Sequence, residues 1–302
     1  MSITIQQNSN LDVTTIKVKL KYPTNYFDLH TWEFCPYSLK AQLAFEYKFL
    51  AYHDLEYSIT QIYPYSYSIL KKLEAKTGFP AVPQVKIQYK QGLEETWLGD
   101  STAITKLLDS VFPEHPLFGG ENAKLHSEIT FLEDWIDEAF RQPYYKLLFL
   151  NKNNLLKASK KWTQEDESLI NRARLEIFKK ERSHYYASFC HSKQKALINA
   201  YKRLDEELLP WISDRLENNN AEGMPFLTGS QITIADLALY SFLKLILQFE
   251  EANLVTRRSV LQKYLENLEN IPLGKVHGSV KKGYTRQKIS LLEGRHKIQD
   301  EE

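Results

Sequence analysis

Cysteine is scarce. Only Cys35 and Cys190 occur among 302 residues, too few for a disulfide framework and at no spacing that zinc ligation uses, which points to a reducing compartment, the cytoplasm. Net charge is nearly absent too: 39 Lys and Arg against 38 Asp and Glu leave +1, so nothing in the total draws the chain to nucleic acid or to an anionic membrane. The first fifteen residues lack the basic start and apolar run of a signal peptide. The longest apolar stretch, residues 232–249, is broken by Asp236, Ser241, Lys244 and Gln248, so no transmembrane helix is expected. With 43% apolar and 25% charged residues, a disordered or collagenous chain is excluded. At roughly 150 residues per domain, the length predicts two domains or one large one.

The pattern divides the chain into five parts: an extension at 1–23, an α/β unit at 24–112, a linker at 113–121, an all-helical unit at 122–272 and a basic tail at 273–302. In the extension, residues 14–20 are apolar at every second position, the period of a strand, read as an edge strand or an ordered arm. Residues 26–30 read as a strand. Leu39, Leu43, Ala44 and Tyr47 then repeat at helical spacing behind Pro36, which suits a first helical turn because its missing N–H costs nothing there. Cys35 therefore sits at a helix N-terminus. A second strand at 52–59, a short helix at 68–76, a strand from Pro83, a turn at Gln91-Gly92 and a strand through Trp97 follow, and a helix opens at Asp100-Ser101. Beyond the Pro/Gly-rich linker the pattern is helical, with no strand expected past residue 130. Thr233 and Asp236 fit a capping box, with Ile232 and Leu237 as its hydrophobic staple. The tail carries seven basic residues against Glu293 alone over 275–297, a solvated face or a patch for an anionic partner.

Cys35-Pro36-Tyr37-Ser38 is the most informative tetrapeptide. A thiol at a helix start is stabilised as its anion by the dipole and free N–H groups, which lowers such pKa values from about 8.5 to roughly 3.5–7.5; the opposing reading is a buried, inert cysteine. At Val82-Pro83 a cis proline would leave the Val82 N–H and C=O to pair with a peptide-like ligand, where the plain alternative is a bend. Asp100-Ser101 offers a hydroxyl, free N–H groups and a positive dipole end to a carboxylate, or simply caps the helix. His184, Cys190 and His191 are close in sequence, but neighbours point to different sides of a helix, so no metal site is expected.

In this order, these features resemble the glutathione transferase superfamily over about residues 24–272. The resemblance implies a thioredoxin-like α/β N-terminal domain, an all-α C-terminal domain and glutathione as co-substrate, without a metal. It places Cys35, with Tyr37 and Ser38, at the glutathione sulfur, Val82 and Pro83 at the cysteinyl backbone, and Asp100 and Ser101 at the γ-glutamyl end. Lys71 or Lys72 on the short helix would meet the glycine carboxylate, and Phe140, Tyr144 and Tyr145 would wall a pocket for a small hydrophobic or disulfide substrate. The Thr233–Asp236 box looks like the family's folding box.

The tetrapeptide is similar to a glutaredoxin-type site with the second cysteine replaced by Ser38, as in cysteine-type transferases such as the omega class. That implies a Cys35-glutathione mixed disulfide resolved by a second glutathione, Cys190 being too distant. Two departures stand out: Glu33, whose charge would disfavour a thiolate if it faced the sulfur, and the two terminal arms. A transferase conjugating glutathione to electrophiles, with Ser38 or Tyr37 at the sulfur, and a catalytically silent binding or scaffold module are the alternatives; a homodimer is left open.

Overall fold

The computed structural model describes residues 4–5, 16–17, 25–52, 56–62, 67–89, 95–163, 193–271 and 286–288. Strand β3 (Asn25–Thr31) is central because it alternates: Phe27 and Leu29 are buried on one face, while Asp28 and His30 face the other way. It pairs in parallel with β4 (Glu56–Gln61) and antiparallel with β5 (Gln84–Tyr89), and β6 (Glu95–Gly99) pairs antiparallel outside β5. A parallel pair needs a long crossover, supplied here by helix α1 (Pro36–Phe49). Helix α2 (Tyr67–Thr77) precedes β5, and α3 (Ser101–Val111) follows β6. Phe27, Leu29, Ile59, Val85 and Ile87 of the sheet share one core with Ala41 and Phe45 of α1 and Ile104 and Leu108 of α3.

The short strands β1 (Thr4–Ile5) and β2 (Ile16–Lys17) pair with each other, not with the main sheet. Within the alternating segment at 14–20, the described residues Ile16–Lys17 form a strand, paired with Thr4–Ile5 of the same arm. One expectation fails outright: β7 (Arg286–Lys288), in the basic tail, pairs in parallel with β4 and extends the sheet order to β6-β5-β3-β4-β7. The pairing is made by main chain on the open edge of β4, and Arg-Gln-Lys carries no apolar alternation that would announce it.

The remaining described elements are helical: α4 (Ala123–Leu150), α5 (Lys152–Thr163), α6 (Lys193–Lys202), a π-helical stretch Arg203–Leu208, α7 (Leu209–Ala221), α8 (Ile234–Ile246), the single-turn α9 (Asn253–Thr256) and α10 (Ser259–Asn270). Helix α8 is buried nearly all round and packs against both α1 and α4, so the two units share a continuous apolar interior. The capping box forms as expected. The Asp236 carboxylate accepts from the Thr233 N–H and hydroxyl at 2.9 Å each, and also from the Leu227 N–H at 2.9 Å and the Tyr264 hydroxyl at 3.0 Å; Ile232 and Leu237 are buried beside it.

Lys48 at the end of α1 ties the linker down. Its ammonium is fully buried, contacts the Asp109 carboxylate at 2.6 Å and donates to the carbonyls of Phe112, Glu114 and His115 at 2.7–3.0 Å. Those groups lie at and beyond the α3 C-terminus, where a cation is favoured. Asp109 in turn accepts from the Leu117 and Phe118 N–H groups.

Candidate active site around Cys35

Cys35 is the N-cap residue of α1, in extended conformation (φ −98°, ψ 115°), with Pro36 opening the helix. Its N–H donates to the Trp32 carbonyl at 2.9 Å. The thiol donates towards the Val82 carbonyl oxygen at 3.8 Å, and the Tyr145 hydroxyl donates to the sulfur from 3.8 Å. The Val82-Pro83 peptide is cis. The sequence-named tetrapeptide, the Val-Pro pair and one aromatic of α4 therefore meet at one sulfur.

Burial works against the low-pKa thiolate that the helix start favours. Cys35 is 3% exposed, and burial pushes its thiol above the ordinary value, while the Ser38 hydroxyl and backbone and the Tyr145 hydroxyl pull the other way. Desolvation, the largest influence, outweighs these hydrogen-bond donors. Ser38 is buried and accepts the Trp32 N–H at 3.2 Å. The Tyr37 hydroxyl donates to the Asp137 carbonyl at 3.0 Å and its ring sits edge-on to Phe242; burial, then the Asp137 charge, raises its pKa far above the ordinary value. Both side chains have partners other than the thiol.

The aromatic wall needs correction. Phe140 and Tyr144 are 0% exposed: Phe140 packs on Phe242 and Trp135, and the Tyr144 hydroxyl donates to the Phe34 carbonyl at 2.8 Å. They hold α4 to the thioredoxin-like unit and offer no surface to a ligand. Tyr145 does face Cys35. It stacks on Phe149 at 5.7 Å, which stacks on Trp32 at 6.1 Å, so Trp32 and Phe149 replace Phe140 and Tyr144 in the aromatic layer adjoining the site. Spacing of 3.6 could not separate these faces, since α4 is apolar on more than one.

Asp100 adopts φ 78°, ψ 131°, uncommon outside glycine, a strain of order 1–3 kcal/mol. Its carboxylate accepts the Ala103 N–H at 2.9 Å and so caps α3, while Ser101 is buried. Gly99, just before, is required by close approach: a Cβ there would lie 2.5 Å from Phe79 Cβ. Lys71 and Lys72 stand on the exposed face of α2. Cys190, His184 and His191 lie outside the described residues, as does the tail apart from 286–288. Among the described residues no group of His, Cys, Asp and Glu is arranged to hold a metal ion, and no helix is long and apolar enough to cross a membrane.

A charged cluster went unnoticed in the sequence. The Lys40 ammonium lies 2.5 Å from both Glu133 Oε1 and Asp137 Oδ2, and the Thr102 hydroxyl donates to Glu133 Oε1. Burial opposes the Lys40 charge, but Asp137 and Glu133 outweigh it and hold its pKa above the ordinary value. Two carboxylates share one cation, so burial, aided by the Glu133 charge, leaves Asp137 pushed up to about 6. The i, i+4 spacing of Glu133 and Asp137 was visible; their partner on α1 was not.

A five-stranded mixed sheet carrying a cysteine at the start of its first helix, opposite a cis Val-Pro, and packed on a helical unit through α4 and α8, defines the glutathione transferase type of fold. Family models agree: residues 29–116 match the glutathione S-transferase N-terminal domain and residues 180–275 match the glutathione S-transferase C-terminal domain. The chain belongs to the glutathione S-transferase superfamily. No curated protein matches it in sequence. Similar solved structures include glutathione transferase F7 from Populus trichocarpa (14% identity, 82% of this chain and 96% of that one, TM-score 0.56). FzlA from C. crescentus is also similar (16%, 86% and 95%, TM-score 0.57). So is a glutathione transferase family member from Pseudomonas fluorescens pf-5 with two glutathione bound (15%, 84% and 92%, TM-score 0.55). At these identities the likeness is one of fold.

Proposed function

We propose that the protein is a cytoplasmic glutathione-dependent thiol transferase that works through Cys35. The observation that carries this reading is the 3.8 Å approach of the Cys35 sulfur to the Val82 carbonyl beside cis-Pro83, which puts the thiol next to the backbone edge that would pair with the cysteinyl unit of glutathione. The N-terminal N–H groups of α3 behind Asp100 and Ser101 suit the γ-glutamyl carboxylate, and Lys71 or Lys72 the glycine carboxylate. The Cys35 thiol loses its proton to solvent. The thiolate then attacks the glutathione sulfur of a glutathionylated substrate, forming a Cys35-glutathione disulfide and releasing the substrate thiolate, which is protonated. A second glutathione thiolate attacks that mixed disulfide, oxidised glutathione leaves, and Cys35 is regenerated as thiolate. Ser38 cannot act as a resolving thiol, so the second glutathione is required.

Mass spectrometry tests this. Treatment with oxidised glutathione is expected to add one glutathione to the Cys35 peptide, and Cys35→Ser is expected to lose thiol transfer while Cys190→Ser keeps it. An unmodified Cys35 peptide beside a labelled Cys190, or full activity in Cys35→Ser, would overturn the reading. One observation favours the rival, a silent binding module: the thiol is almost inaccessible and its pKa is raised. Under that reading glutathione still binds, shifting the thermal midpoint, yet Cys35 never forms the mixed disulfide.

A further inference from the structure

Away from the thiol, α4 forms one wall of a half-open cavity of about 320 Å³, and α6 with the start of the π-helical stretch forms the other, a size within the range of small-molecule pockets. Its lining carries the cations Arg141, Lys146 and Arg203 against the single carboxylate Glu138. Glu138 pairs with Arg141 at 2.8 Å, and Arg203 has a long, exposed i, i+4 contact with Glu207 at 3.7 Å, a kind worth little in water. The lining thus holds three cations against one carboxylate, a net charge of +2.

Both walls depart from regular helix at this place. Pro143 lies inside α4 and lines the cavity; having no N–H, it cannot bond the Ala139 carbonyl one turn back, and Ala139 lines the cavity too. Across from it, Arg203 begins the π-helical stretch, an irregularity that recurs at functional sites because it costs backbone regularity. Arg141, which lines the cavity, precedes Tyr145 by four residues on α4, one helical turn from the side chain that touches Cys35.

We propose that this cavity is a binding site for a small organic dianion, held by Lys146, Arg203 and the guanidinium of Arg141. A dianion matches the net +2 of the lining, and guanidinium forks favour the planar or tetrahedral oxyanions of carboxylates and phosphate monoesters. The site is independent of the thiol-transfer reading.

Isothermal titration of the full chain with succinate and, separately, with glucose 6-phosphate tests it at constant ionic strength, with glucose as the uncharged control. The expected result is one site per chain for at least one anion and none for glucose, with the stronger of the two telling whether carboxylates or a phosphate monoester is the fitting group. Lys146→Gln and Arg203→Gln are each expected to weaken binding by about tenfold or more, with thermal midpoints near that of the parent. Cys35→Ser is expected to bind unchanged, which separates failure of this site from failure of the thiol chemistry. No saturable binding of either anion up to about 10 mM, a range that still detects weak complexes, would overturn the proposal; so would binding that both Gln variants retain in full.

Discussion

The Tyr145 hydroxyl meets the Cys35 sulfur at 3.8 Å across 110 residues of chain. A helix of the second unit thereby closes over a thiol presented by the first, and donates to it a hydrogen bond that favours the thiolate while the surrounding burial favours the thiol.

The alkylation rate of Cys35 by iodoacetamide is therefore expected to climb about tenfold per pH unit from neutrality to beyond pH 9, following the thiolate fraction. Tyr145→Phe removes the hydrogen bond and is expected to shift that profile further to alkaline pH. Stopped-flow or quench measurements on the Cys190→Ser background check this; a plateau reached below pH 7.5 would contradict the raised pKa.

Asp137 gives a pH dependence of opposite sense to that of most carboxylates. Its folded-state pKa is raised to about 6 from 3.8, so its contribution to stability is complete below the unfolded value and is lost as pH rises through the folded one. The midpoint difference between the parent and Asp137→Asn is expected to move against the parent between pH 4 and pH 7. Thermal melts of both proteins across that interval measure it, and a pH-independent difference would refute the assignment.

Asp100 combines a favourable cap with an unfavourable φ of 78°. Asp100→Ala loses the cap and keeps the strain, at about 1–2 kcal/mol, whereas Asp100→Gly loses the cap but relieves the strain. Urea denaturation is expected to rank the parent first, Gly second and Ala last. Ala at least as stable as Gly would mean that the φ strain is negligible.

Lys48→Met would strand the Asp109 carboxylate and three carbonyls beside a buried methyl group. Removing one partner of a buried ion pair costs about 3–5 kcal/mol, and a loss of that size is expected in equilibrium unfolding. A loss below about 1 kcal/mol, the range of exposed pairs, would show that water replaces the ammonium.

Much of the fold is legible residue by residue. The alternation of Phe27 and Leu29 with Asp28 and His30, the repeat Leu39-Leu43-Ala44-Tyr47 behind Pro36, and the Thr233-Asp236 box each report a local backbone state, because strand period, helix period and capping are properties of residues a few positions apart. They were enough to put Cys35 at a helix start and Val82 beside a proline that enters a strand. The tail strand escaped because β7 is held by main chain on the edge of β4, which side-chain pattern does not encode.

What those local signals could not reach is the state of the thiol and the company it keeps. Helix position argues for a thiolate, but desolvation sums over atoms brought in from distant parts of the chain, Tyr145 among them, and it prevails. The same holds for Phe140 and Tyr144, whose spacing suits a pocket wall as well as a core, and for Lys40, an unremarkable helix lysine until Glu133 and Asp137 of α4 enclose it. Packing between α1, α4 and α8 assigns each of them its environment, since burial and charge pairing depend on separation in space and not along the chain.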